Sequence, residues 1–169
     1  VENAEKFKGL VLDKALALAL IEERESRVVV ENLKKFKGLN KAIALKLIEE
    51  RESWVVAKNL EKLKGLDDEV ALKLIEAGRA EDVVENAEKF KGLVLDKALA
   101  LKLIYMGQGN IVAKNLEKFK GLVLDKALAL KLIEAREGWV VAKNLEKLKG
   151  LDDEAYIQLM EFSPESYLI

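Results

Sequence analysis

The chain contains no cysteine, no histidine and no threonine, and its only proline is Pro164. Without cysteine there are no disulfides, thiolate nucleophiles or thiolate metal ligands, and redox logic assigns no compartment. Without histidine the commonest general base and metal ligand are missing as well. Serine occurs only at Ser26, Ser53, Ser163 and Ser166, none of them in a nucleophile-elbow context. Catalysis is therefore not expected, and neither is a cofactor or a bound metal. A formal net charge of −1 supplies no global attraction to nucleic acid or acidic membranes. No apolar run approaches the roughly 18 residues of a membrane span, and the start shows no signal-peptide pattern. The chain begins on Val1 rather than Met, as a trimmed or processed protein would. The expected setting is cytoplasmic or recombinant.

What the 169 residues do contain is repetition. Six glycines share the context Lys-Gly-Leu, namely Gly9, Gly38, Gly65, Gly92, Gly121 and Gly150, spaced by 29, 27, 27, 29 and 29 residues. Self-similarity at such a period is the signature of a stacked repeat architecture. The longer units read Gly-Leu-Val-Leu-Asp after the glycine, and the shorter ones omit the Val-Leu pair, as in Gly65-Leu66-Asp67. The segment Val1–Leu18 recurs without change at Val84–Leu101, and Trp54–Glu69 recurs at Trp139–Glu154. Copying this close marks recent duplication or deliberate construction.

Each unit predicts two helices. Alternation in Ala15-Leu16-Ala17-Leu18-Ala19-Leu20 superficially suits a strand, but Ala and Leu are strong helix formers. Asp13, Asn40, Asp67, Asp96, Asp125 and Asp152 stand where helix N-caps are needed. On a wheel, Val70, Ala71, Leu72, Leu74, Ile75 and Ala77 cover more than half the circumference, which predicts a buried inner helix. An outer amphipathic helix is expected over Val55–Lys64, with Gly65 as its left-handed C′ residue. The fold class is all-α. The expected architecture is a right-handed α-solenoid of six helical hairpins, about twelve short helices in one repeat domain. The units run approximately 1–26, 27–53, 54–80, 81–109, 110–138 and 139–162, followed by a C-terminal cap at 163–169 that opens on Ser163-Pro164.

The string Trp54-Val55-Val56-Ala57-Lys58-Asn59, repeated at Trp139–Asn144, resembles the "VA-x-N" core of bacterial leucine-rich-variant repeats, which are curved helical solenoids. The resemblance covers about six residues per unit. The Pro-rich half and the cluster-binding cysteines of that family are absent, so the resemblance implies a HEAT-like helical solenoid and no cofactor.

Four features bear on function. One Asn recurs in every unit (Asn3, Asn32, Asn59, Asn86, Asn115, Asn144). It is expected to form a structural ladder bonded to neighbouring loops; the alternative is one-per-repeat reading of a polymer, for which an invariant residue is poorly suited. Lysines form two rows, one from Lys6 to Lys147 and one from Lys8 to Lys149. A phosphate-tracking stripe is one reading; pairing with Glu2, Glu31 and Glu85, four residues before Lys6, Lys35 and Lys89, is the other. Asp67-Asp68-Glu69 and Asp152-Asp153-Glu154 begin helices, where acids suit the dipole, so capping is preferred over metal binding.

Variation concentrates in the turn before each outer helix. It places Arg27, Trp54, Arg79, Asn110 and Trp139 as candidate partner-binding residues, because a constant frame with a variable edge is how repeat proteins display surfaces. The alternative is that each Trp staples the helix it precedes. The expected function is a non-catalytic scaffold for a protein or peptide partner. Alternatives are a designed or consensus repeat with no native ligand, and nucleic-acid backbone binding through the lysine rows. End-to-end self-association through the N-terminal face is a further expectation.

Overall fold

The computed structural model describes residues 11–144, together with Gly150 and Ile157. Among them every regular element is helical, and ten α-helices alternate between two lengths. The nine-residue set comprises α1 (Lys14–Glu22), α3 (Lys41–Glu49), α5 (Asp68–Glu76), α7 (Lys97–Tyr105) and α9 (Lys126–Glu134). The six-residue set comprises α2 (Ser26–Glu31), α4 (Ser53–Lys58), α6 (Ala80–Glu85), α8 (Gly109–Lys114) and α10 (Gly138–Lys143). The chain divides into two compact units, Val1–Leu93 and Val94–Ile169.

Each long helix starts on the expected cap. The side chains of Asp13, Asp67, Asp96 and Asp125 accept the amide three residues on, at 3.0, 3.4, 2.9 and 2.9 Å, while Asn40 accepts from Ala42 at 3.2 Å. Each satisfies one of the orphan donors of a helix start. The sixth expected cap, Asp152, lies outside the described residues.

Every long helix packs on the short helix that follows it. Within the first unit α1 also packs on α3, α3 on α5, and α4 on α6; within the second, α7 packs on α9. The most deeply buried side chains are aliphatic: Ile43, Leu47, Leu74 and Ile75 in the first unit, and Leu103, Leu128 and Leu132 in the second, have no measurable exposure. Burying one such side chain contributes about 1.5–3 kcal/mol. The buried face is narrower than the wheel predicts. In α5 it comprises Val70, Ala71, Leu74 and Ile75, whereas Leu72 is half-buried and Ala77, at the C-cap beyond the last turn, is exposed.

One backbone contact recurs between successive helix pairs. The amide of Lys37 donates to the carbonyl of Leu12 (2.8 Å), Lys64 to Leu39 (3.0 Å), Lys91 to Leu66 (3.0 Å) and Lys120 to Leu95 (2.7 Å). Return bonds run from Lys41 to Lys64 (3.0 Å) and from Asp68 to Lys91 (3.2 Å), giving short parallel bridges. These bonds satisfy loop backbone that packing would otherwise strip of water. They also account for the two unit lengths. The leucine before the cap keeps its buried place with or without the extra pair at Leu39, Leu66, Leu95 and Leu124, while Leu12, ahead of the first cap, is half-buried. The inserted residues take up the slack outside, leaving Val11, Val94 and Val123 between 42% and 62% exposed.

The outer helix is not one continuous element. In place of a single helix over Val55–Lys64, α4 ends at Lys58, a 3-10 turn spans Leu60–Lys62, and Leu63 is extended. Gly65 has the expected left-handed backbone (φ 68°), but beyond this turn rather than directly after an α-helix. Asn59 marks the break.

Candidate functional site

The recurrent Asn serves that break. In α4 the Asn59 amide donates to the carbonyl of Val56, three residues back, which leaves the Val55 carbonyl without its α-helical donor. The Asn59 side chain supplies one: its Nδ2 donates to Val55 at 2.9 Å. The same i−4 bond occurs from Asn32 to Val28 (3.0 Å), Asn86 to Asp82 (2.8 Å), Asn115 to Ile111 (3.0 Å) and Asn144 to Val140 (2.9 Å). Each side-chain amide therefore bonds back to its own helix. Register between pairs is carried instead by the Lys-to-Leu backbone bonds. Asn3 lies outside the described residues.

The turns joining long to short helices are more constrained than their variable text suggests. In all five the chain makes a Schellman motif, as where Arg51 donates to Ile48 (3.0 Å) and Glu52 to Leu47 (2.8 Å). The motif requires a left-handed residue, which is Gly78 and Gly107 in two turns but Arg24, Arg51 and Arg136 in the others (φ 62–65°). The first helical residue is also restricted, being Ser26, Ser53, Ala80, Gly109 or Gly138. The last four are buried, and a Cβ on Gly109 would stand 3.2 Å from Ala135 Cβ and 3.3 Å from Glu137 Cγ. Both restrictions are visible in the sequence as a column of Gly or Arg and a column of small residues.

This register sorts the candidate residues. Arg27, Trp54, Asn110 and Trp139 occupy one position, the second residue of a short helix. Arg79 does not join them; it precedes α6 in the cap position, and Glu81 is the true counterpart. Trp54 is 43% exposed, donates its indole N–H to Glu52 Oε2 at 2.8 Å and has Lys58 Nζ 5.9 Å from its ring. Trp139 repeats the bond to Glu137 Oε2 at 2.8 Å and is half-buried. It lines an open groove of about 670 Å³ with Lys114, Glu117, Leu122, Val123 and Lys143. A second groove, about 540 Å³, lies between α7 and α9 and is lined by Leu101, Lys102, Ile104, Tyr105, Lys131, Glu134 and Ala135. The reading of the sequence missed it, although Tyr105 stands where Glu22, Glu49, Glu76 and Glu134 close the other long helices.

The lysine rows are only partly compensated as expected. Glu31 pairs with Arg27 (2.7 Å) rather than with Lys35, because the helix breaks at Asn32 and Lys35 no longer follows on the same face. Lys62 and Lys89 lie 3.9 Å from Glu61 and Glu88. The better ion pairs come from lysines at helix starts. Lys41 Nζ lies 2.5 Å from both Asp67 Oδ2 and Glu69 Oε2, and Lys97 Nζ lies 2.6 Å from Asp125 Oδ2. The hydrogen bonds that Lys41 donates to the Asp67 and Glu69 carboxylates push its ammonium up to about 12. Lys41 holds the Asp67 carboxyl below its ordinary value, and Lys97 does the same for Asp125.

Among the described residues no group of three or more acidic side chains is placed to hold a metal, and no helix is long and apolar enough to cross a membrane. The C-terminal cap at 163–169 and the N-terminal face lie outside them. In comparisons with protein-family models, curated proteins and solved structures, nothing matches this chain.

Proposed function

We propose that the chain is a non-catalytic α-solenoid of six helical hairpins that presents a repeated surface to a protein or peptide. Stacking supplies each pair with the apolar cover that one pair lacks. The observation that carries the binding reading is large side chains left in solvent on an otherwise repeated frame, namely Trp54 at 43% and Tyr105 at 93% exposure. Aromatic side chains of this kind are the residues that anchor interfaces.

A second reading, a designed or consensus scaffold with no native ligand, is favoured by the identity of Val1–Leu18 with Val84–Leu101. Nucleic-acid binding through the lysine rows is the weaker alternative, since Glu61 and Glu88 sit beside Lys62 and Lys89 and the net charge is −1. Affinity capture with a Trp54→Ala/Trp139→Ala control separates these readings. A partner held at high salt and lost in the control supports the interaction module. Salt-sensitive capture of nucleic acid supports the lysine rows, and an empty bait from folded protein supports the scaffold.

A further inference from the structure

The Lys-Gly-Leu loops of the first unit each carry a lysine whose backbone is tied down and whose side chain is not. The amide of Lys37 donates to the carbonyl of Leu12 (2.8 Å), that of Lys64 to Leu39 (3.0 Å) and that of Lys91 to Leu66 (3.0 Å). The carbonyls of Lys64 and Lys91 accept in return from Lys41 (3.0 Å) and Asp68 (3.2 Å). Backbone makes all of these bonds, so any residue with an amide N–H supplies them equally well. Among the described residues the Lys37, Lys64 and Lys91 ammoniums form neither an ion pair nor a hydrogen bond, and all three lysines are exposed. The acids at the start of α5 are engaged elsewhere, Asp67 and Glu69 by Lys41 and Asp68 by the amide of Glu69. Neighbouring positions change between copies, Phe36 against Leu63 and Lys34 against Glu61, whereas this lysine does not.

The loop-to-loop bonds give the row a fixed interval. Helices in contact lie about 8–10 Å apart, and here α1, α3 and α5 contact in series, as do α4 and α6. Successive ammoniums therefore recur at about that spacing. A polyproline II segment repeats every three residues of about 3.1 Å each, which places side chains i, i+3 and i+6 on one face roughly 9 Å apart. Carboxylates at those positions match the row in sign and in spacing. A nucleic-acid strand matches it less well, because its charges follow at about 3.4 Å along the axis. Its bases also need aromatic platforms, and Trp54, the exposed aromatic side chain among the described residues of this unit, stands at the opposite end of α4 from Lys64.

We infer that the Lys37–Lys64–Lys91 edge binds an acidic peptide in polyproline II conformation, one carboxylate to each lysine. The inference rests on the interaction-module reading and gives it a site apart from the tryptophan turns.

Fluorescence anisotropy at low salt tests it, with a fluorescein-labelled Glu-Pro-Pro-Glu-Pro-Pro-Glu peptide as probe. Glu-Pro-Pro-Pro-Glu-Pro-Pro-Pro-Glu carries the same carboxylates out of phase, and a single-stranded oligothymidylate stands for nucleic acid. Saturable binding of the first peptide is expected, weaker by about two- to fivefold for each of Lys37→Gln, Lys64→Gln and Lys91→Gln and by about tenfold or more in the triple variant. Lys35→Gln/Lys62→Gln/Lys89→Gln removes equal charge from the other row and is expected to leave binding unchanged, as is Trp54→Ala/Trp139→Ala. The out-of-phase peptide is expected to bind more weakly than the probe. Equal loss in both triple lysine variants, equal binding of the two peptides, tighter binding of the oligothymidylate, or no saturation by roughly 1 mM would overturn the inference. If the peptide fails while affinity capture still yields a partner that the tryptophan variant loses, the lysine edge falls and the interaction reading stands. Failure of the peptide together with an empty bait would remove both.

Discussion

Lys41 at the start of α3 reaches Asp67, the cap of α5, with its Nζ 2.5 Å from Oδ2, so one carboxylate both caps a helix and joins two helix pairs. This double role gives the stability of the first unit a pH profile with two limbs. The Asp67 carboxyl is held below its ordinary value, chiefly by the Lys41 hydrogen bond, so its contribution is present above that value and is lost as pH falls through the lowered one. Lys41 is raised to about 12. Its contribution is complete below the ordinary lysine value and is lost as pH rises through about 12. Thermal unfolding is expected to show a plateau at neutral pH and a fall on either side. Asp67→Asn keeps a good cap but removes the charge. Unfolding of that variant across a pH series is expected to show shallower acid and alkaline limbs.

The left-handed arginines predict stabilisation by a substitution that adds no contact. A non-glycine residue in this region costs about 1–3 kcal/mol, and Gly78 and Gly107 show that the turn accepts glycine. Arg51→Gly is therefore expected to raise stability by about 1 kcal/mol, with Arg24→Gly and Arg136→Gly behaving alike. Gly78→Ala is expected to lower it by a similar amount. Urea unfolding at constant m-value measures both changes, and an unchanged midpoint in Arg51→Gly would contradict the argument.

Packing at the first residue of α8 predicts the opposite response. Since a Cβ at Gly109 already meets Ala135 at 3.2 Å, Gly109→Val forces the turn and α8 apart. Overpacking of this kind costs about 1–3 kcal/mol. Asn110→Ala, one residue further on at an exposed position, is expected to change stability by less than about 0.5 kcal/mol. A thermal melt of the two variants side by side is the measurement.

Much of the local structure was legible because it is decided within a few residues. The caps at Asp13, Asn40, Asp67, Asp96 and Asp125 follow from a short polar side chain placed before a helical run. The left-handed backbone at Gly65 follows from the absence of a Cβ. The break at Asn59 was harder to read, because Val55–Lys64 has an unbroken amphipathic pattern. What ends α4 is the choice of the Asn59 amide between two carbonyls, with the side chain satisfying the one left over. The candidate site was legible only in part. Variation in the turns pointed to Trp54 and Trp139, yet Arg79 fell out of register, because aligning the turns requires knowing which residue is left-handed.

The sequence by itself determined that this chain is helical and repeated, where its long helices begin, and that histidine and cysteine chemistry is closed to it. These follow from composition and from interactions spanning at most four residues. Tertiary structure decided how neighbouring pairs are held in register, through the Lys64-to-Leu39 type of bond, and which side chains remain in water. Tyr105 is one residue among many in the text; the groove it lines exists only because α9 packs beside α7. Contacts between residues some 27 positions apart depend on the geometry of the turns between them, and no local pattern encodes that geometry directly.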